Sequence, residues 1–126
     1  MQECPFCLKE GVDVLMQNKY AKAILDNYPV SKGHILIVPK RHVNKPSELS
    51  SEEMADVLSL VKEAKGVMNI IAEPDGYNVG INIGKAAGQT VEHMHVHVIP
   101  RYQGDMDDPT GGVRGVIPEK RTYNKE

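Results

Sequence analysis

The sequence predicts an α+β fold, an antiparallel sheet of about five strands with one long helix on one face. Three observations carry this prediction. Residues 35–39, Ile-Leu-Ile-Val-Pro, are apolar and β-branched and sit between turn residues, the composition of a central strand covered on both faces. Residues 93–98, His-Met-His-Val-His-Val, alternate with period two, the pattern of a half-buried strand. Between the two runs, Met54, Val57, Leu58, Val61, Ala64, Met68 and Ile71 recur at helical spacing as one apolar stripe.

The remaining elements follow from turn chemistry. Residues 12–16 and 20–25 have strand character and flank Gln17-Asn18-Lys19, which predicts a hairpin. Asp26-Asn27-Tyr28-Pro29 breaks the second strand, and Ser31-Lys32-Gly33 leads into the central one. A polar connection, residues 40–46, precedes the helix. Ser50 with Glu53 three residues on is a capping-box pattern that opens a helix over residues 51–72. Glu73-Pro74-Asp75-Gly76 ends it. Residues 77–83 alternate enough for a strand, residues 84–90 form a small-residue loop, and the histidine strand runs to Pro100. Residues 101–126 are polar and rich in Gly and Pro, and a largely irregular C-terminal tail is expected.

At 126 residues, a single domain over residues 1–126 is expected, with no internal repeat or linker. Fifteen Lys plus Arg balance seventeen Asp plus Glu, so charge gives no reason to expect a nucleic-acid partner. No apolar run approaches the roughly 20 residues that span a bilayer, which argues against a membrane partner. Met1-Gln2-Glu3-Cys4-Pro5 lacks the charged start and apolar core of a signal peptide, and a cytoplasmic location is expected. In a reducing compartment the pair Cys4 and Cys7 fits half a metal site, free thiols or a redox pair better than a structural disulfide.

Three of the five histidines, His93, His95 and His97, line one face of the expected strand. Two chemistries suit such a face. The imidazoles can ligate a metal that activates water, or one can attack an electrophile, most plausibly a phosphorus, while a neighbour handles charge. The preceding loop favours the second. Gly84 to Gly88 allows tight turns whose backbone N–H groups approach an anion, and Gln89 and Thr90 add side-chain donors. If the cysteine pair holds zinc, two further ligands are needed, with His34, His42 and a member of the triplet as candidates.

The triplet, each histidine followed by an apolar residue, resembles the signature of the histidine triad family of nucleotide hydrolases and transferases. Residues 25–40, Leu-Asp-Asn-Tyr-Pro-Val-Ser-Lys-Gly-His-Ile-Leu-Ile-Val-Pro-Lys, resemble a second block of that family, and Gly88-Gln89-Thr90-Val91 also fits. The resemblance covers about residues 4–101. It implies a histidine-triad-like fold and an enzyme acting at a nucleoside α-phosphate through a covalent nucleotidyl-histidine. The implied substrates are purine nucleoside phosphoramidates or dinucleoside polyphosphates, of adenosine or guanosine type. A leaving group facing solvent is also implied, so that few residues would read it.

By the same resemblance His95 is the nucleophile, His97 contacts the phosphate, and Thr90 assists the departing group. Asp26 binds the ribose, His34 supports the site, and Asn82, Gly88 and Gln89 surround the phosphate and leaving group. A structural zinc would be held by Cys4, Cys7, His42 and His93, as in related galactose-phosphate uridylyltransferases. A homodimer through the long helix and a sheet edge is implied as well. The tail over residues 107–118 resembles that of diadenosine-polyphosphate-type hydrolases, where Arg114 could reach a phosphate. Two alternatives stay open: a nucleotide-binding regulatory protein with little turnover, and a zinc-dependent hydrolase that uses the histidines as ligands.

Overall fold

The computed structural model describes residues 4–122. Its strands are β1 (Val14–Gln17), β2 (Ala21–Leu25), β3 (Ile35–Pro39), β4 (Gly76–Gly80) and β5 (Val96–Arg101), and its one long helix is α1 (Ser51–Ile71). The strands form one sheet in the order β1-β2-β3-β5-β4, with every neighbouring pair antiparallel. This is the α+β architecture expected from the sequence. The first three and last four residues of the expected domain lie outside the described residues.

Strand β3 is buried at all five positions because both faces of the sheet are covered. On one face Ile35, Ile37, Ala21, Ala23, Met94, Val96 and Val98 pack against Val57, Leu60, Ala64 and Met68 of α1. Each Val, Leu, Ile or Met side chain buried this way contributes about 1.5–3 kcal/mol. On the other face Ile24, Leu36 and Val38 pack with Phe6. The apolar partners of the histidines thus enter the helix-side core, and the histidines lie on the face that Phe6 covers.

Helix α1 starts as predicted. Ser50 Oγ accepts from the Glu53 N–H at 3.1 Å and Glu53 Oε1 accepts from the Ser50 N–H at 2.8 Å. The same carboxylate also receives Arg41, at 3.0 and 2.9 Å, which fastens the connection after β3 to the helix. The apolar stripe differs from the expected one. The sheet-facing line is Glu53, Val57, Leu60, Ala64 and Met68, whereas Leu58 and Ile71 are exposed. A 3.6-residue period places Leu60, not Leu58, over the sheet once Val57 faces it.

Other boundaries also move. Residues 11–13 make a short 3₁₀ turn before β1. Strand β4 stops at Gly80, three residues short of the expected end. Strand β5 begins only at Val96 and runs through Pro100 to Arg101. Pro100 is tolerated because the pairing with β3 ends at Ile35 with Val98, so its missing N–H falls where no β3 partner stands. Its carbonyl accepts instead from Ser31 Oγ at 2.6 Å. Beyond Arg101 the chain has turns and two short 3₁₀ segments, Gly112–Val116 and Pro118–Lys120. The turn directly after Arg101 is held by a bidentate Arg101–Asp105 pair and by Tyr102 Oη donating to Lys32 O at 2.7 Å. No described helix is long and apolar enough to cross a membrane.

Candidate active site and metal centre

The site grows from the point where strand pairing runs out. Pairing of β3 with β5 ends at Ile37 with Val96, two residues before Pro39. The Pro39 carbonyl is therefore free of the ladder, and it accepts from His93 Nε2 at 2.8 Å. His93 and His95 precede β5 and are not part of its ladder, because the chain there is tied instead by the Met94 N–H to Val43 O at 2.7 Å. Both imidazoles are nonetheless buried, beneath Phe6, whose ring centroid lies 5.8 Å from that of His93 and 4.9 Å from that of His95. His97 is in the strand proper, with its centroid 5.0 Å from that of His95.

Backbone carbonyls and N–H groups set the proton position on four of the five histidines, and the His34 ring sets it on His97. A carbonyl only accepts, so each ring nitrogen facing one must carry the proton. His93 Nε2 faces Pro39 O, and His42 Nε2 faces Glu92 O at 2.7 Å. Both rings therefore leave Nδ1 as the lone pair. His95 is the reverse: its Nδ1 faces His93 O at 2.8 Å, which leaves Nε2 as the lone pair. His34 Nδ1 accepts from the Val30 N–H at 3.0 Å, so its proton is on Nε2, which donates to His97 Nδ1 at 2.9 Å. His97 then carries its proton on Nε2. No described buried side-chain nitrogen lacks a partner, and no described group bonds the Nε2 atoms of His95 and His97. Both must reach the surface, one as a base and the other as a donor.

Two clusters flank His95. In the first, Cys4, Cys7, His42 and His93 bring one ligand atom each within 4.8 Å of one another. The Sγ to Nδ1 separations are 3.3 Å for Cys4 with His93, 3.2 Å for Cys7 with His42 and 3.5 Å for Cys7 with His93. A tetrahedral zinc with bonds of about 2.1 Å to N and 2.3 Å to S sets its ligands about 3.3–3.8 Å apart, so the set fits a metal of that kind. The bonds from each Nε2–H to a carbonyl are the outer support that metal-bound histidines require. Burial, then the Cys4 thiol, push the Cys7 thiol up. A divalent cation at this cluster favours the thiolate.

In the second cluster Asp26, His34 and His97 converge. Asp26 Oδ2 lies 3.4 Å from His34 Nε2, while its Oδ1 accepts from the Tyr28 N–H at 2.8 Å. Burial holds the His34 and His97 imidazoles below their usual range, opposed by Asp26 at both; the other histidines add to the lowering at His97. Both rings are therefore neutral at pH 7. Gly33 delivers His34 into this position. Its φ of +87° is strained for any side chain, and an added Cβ would stand 2.6 Å from Met68 Sδ.

The loop before the histidines is tied across the site by Gln89. Its Oε1 accepts from the Gly84 N–H at 2.9 Å, and its Nε2 donates to Asn44 and to Val91 O. The amide is thus occupied as a strut. Thr90 is exposed beside it, Gly88 sits at the end of a 3₁₀ turn with φ +92°, and Asn82 is half-buried past the end of β4. Arg114 lies on the tail and donates to Lys120 O and Arg121 O. Sequence reasoning missed Phe6, Ser31, and the Arg41–Glu53 pair that anchors the His42 connection. An aromatic between the two cysteines was the one available signal for Phe6.

A family model described as HIT domain matches residues 10–104. The chain is 39% identical over 114 residues to an AP-4-A phosphorylase of Mycobacterium tuberculosis, covering 88% of this chain and 57% of that protein. It therefore spans little more than half the length of that relative. It is 41% identical over 102 residues to adenosine 5'-monophosphoramidase of Schizosaccharomyces pombe, covering 78% of this chain and 74% of that one. A zinc-bound histidine triad family protein from Mycobacterium smegmatis superposes with a TM-score of 0.71 at 32% identity, over 81% of this chain and 77% of the other. With matched residues that include all five histidines, the chain belongs to the HIT domain family.

Proposed function

We propose that the protein is a nucleotidyl hydrolase or transferase that attacks a nucleoside α-phosphate with His95 and passes through a nucleotidyl-histidine. The observation that carries this reading is the opposed protonation of His95 and His97. An unprotonated Nε2 is a nucleophile without prior loss of a proton. An Nε2–H next to it is a donor for a phosphate oxygen that gains charge in the transition state.

His95 Nε2 forms a bond to phosphorus, and the bond to the leaving group breaks with its electron pair departing. The imidazole becomes cationic, and its Nδ1–H stays on the His93 carbonyl. Water, or another acceptor, then attacks the phosphorus, loses its proton, and returns the electron pair to Nε2. His34 fixes the ring of His97, and Asp26 offers a carboxylate to ribose hydroxyls. Thr90 serves the leaving group, Asn82 and Gly88 border the phosphate, and Gln89 acts by holding the loop. The relatives named for AP-4-A and for an adenosine phosphoramidate support an adenosine-type substrate.

Zinc is the metal that Cys4, Cys7, His42 and His93 suit, in a structural role. Four protein ligands close the coordination sphere, so the ion supplies folding energy and a fastening for the N-terminal segment. We also place a homodimer on the exposed apolar side chains Leu58, Val67, Ile70 and Ile71 of α1 together with Val79, Ile81 and Ile83 at the β4 edge. The test of the reaction is quenched-flow mass spectrometry with diadenosine tetraphosphate or adenosine phosphoramidate. An adenylyl adduct on His95 that forms and decays at the turnover rate is the expected result. Turnover that persists in His95→Ala would sink the reading.

A further inference from the structure

Phe6 stands between the two cysteines of the metal cluster and is the one phenylalanine of the chain. It is 8% exposed and packs on Ile24 of β2 and on Leu36 and Val38 of β3. The turn that carries it is closed by the Leu8 N–H on Cys4 O and the Lys9 N–H on Phe6 O, both at 3.2 Å. Its ring reaches His95, with centroids 4.9 Å apart and planes at 72°. His95 is itself buried, at 7% exposure. No ion pair among the described residues includes it, and the carboxylate of Asp26 lies against His34 instead.

The proposed reaction turns this buried ring into a cation. As His95 Nε2 bonds to phosphorus and the leaving group departs with its electron pair, positive charge spreads over the imidazole. A buried charge is costly unless nearby groups stabilise it. The His93 carbonyl, which holds Nδ1–H at 2.8 Å, is one such group. The phenyl ring is the other. At 72° the edge of one ring meets the face of its neighbour. The favourable arrangement sets the imidazole edge on the phenyl face, because imidazole hydrogens are more positive than phenyl ones and the phenyl face is negative. A cation within about 6 Å of the ring centroid is attracted to that face.

We infer that Phe6 stabilises the imidazolium form of His95 through its ring face and so speeds formation of the nucleotidyl-histidine. The inference rests on the proposed reaction at His95. The attraction grows as charge develops on the imidazole, so it lowers the barrier without tightening substrate binding. The segment from Cys4 to Cys7 thus has two tasks. Its cysteines fix the backbone on either side of Phe6, and the ring between them serves the nucleophile.

The test replaces Phe6 by phenylalanines carrying one, two and three fluorines on the ring. Because the chain has a single phenylalanine, this ring alone changes. Fluorine withdraws electron density from the face with little change of shape. Quenched-flow measurement with diadenosine tetraphosphate reads the rate of adduct formation on His95 at saturating substrate. That rate falls stepwise, by about twofold, fivefold and tenfold, while the half-saturating concentration stays within about twofold. Phe6→Leu, which fills the space without a π face, loses about tenfold or more, and Phe6→Tyr stays within about threefold. Rates that stay level or rise across the fluorinated series would overturn the inference and leave the His95 adduct intact. A loss confined to the half-saturating concentration would also overturn it, because Phe6 would then act in binding alone. Absence of any adduct in the unsubstituted protein would overturn both the inference and the proposed reaction. Should Phe6→Leu fail to fold, the fluorinated proteins carry the test, and circular dichroism verifies their fold.

Discussion

Two histidine clusters stand side by side, built from the same residue type and held to opposite ends. Beside Cys4 and Cys7, His42 and His93 give their Nε2–H groups to carbonyls and turn Nδ1 lone pairs on the thiols. Beside Asp26, His34 and His97 form a chain in which each Nδ1 accepts and the last Nε2–H points out. His95 lies between them and is alone in giving up Nδ1–H to the backbone. The difference is set by three carbonyls that the sheet leaves unpaired or nearly so, those of Pro39, Glu92 and His93. An imidazole's role is fixed less by its own identity than by the backbone group behind it.

The sharpest way to break this division is at His95. His95→Asn lowers kcat by about 10³-fold or more, because no other unprotonated Nε2 reaches the surface. Zinc content measured by mass spectrometry is unchanged, and a loss of metal together with activity would merge the two clusters. The converse variant, Cys7→Ser, loses zinc and destabilises the fold by about 3 kcal/mol or more in urea unfolding with zinc present. Its folded fraction keeps turnover within a few-fold of wild type. A Cys7→Ser protein that folds well but has no activity would make the metal catalytic.

Smaller effects test the supports. Gly33→Ala costs about 2 kcal/mol, since a side chain at φ +87° is strained and meets Met68. The loss falls on the His34 chain and leaves zinc stoichiometry alone. Proton linkage gives a further contrast. His34 and His97 have folded pKa values below the usual 6.5, so the unfolded chain takes up protons first. Their contribution is complete above that value and is lost as pH falls below it. Urea titrations at pH 8 to 5 show a decline in stability that is shallower in His34→Gln. Glu53, lowered to about 2 chiefly by Arg41, acts lower: its contribution is complete above 4.5 and lost as pH falls through about 2. Glu53→Gln therefore differs from wild type at pH 6, and the difference closes toward pH 2.

Much of this was legible in the sequence. The capping box needed only Ser50 and Glu53, and the central strand needed only its composition, because both are local. The histidine alternation also held in sense, since Met94, Val96 and Val98 do enter the core opposite the imidazoles. What stayed hidden depends on where pairing stops. A period-two pattern does not say that the ladder begins at Val96, or that Pro100 continues it, because both follow from the end of the β3 register. Nor could the sequence tell that the Gln89 amide is spent on Gly84 and Val91 of its own loop and on Asn44, which is 45 residues away in the chain. Leu58 and Leu60 are indistinguishable by hydrophobicity, and what separates them is the 3.6-residue period that runs from Val57 through Ala64 to Met68.

The most direct test of the division between the clusters is long-range ¹H–¹⁵N correlation on histidine-labelled protein at pH 7.5, which reports which ring nitrogen of each imidazole bears hydrogen. With the zinc-loaded protein, His95 is expected as the Nδ1–H tautomer and His34, His42, His93 and His97 as Nε2–H. An Nε2–H signal for His95, or an Nδ1–H signal for His97, would contradict the account at its centre.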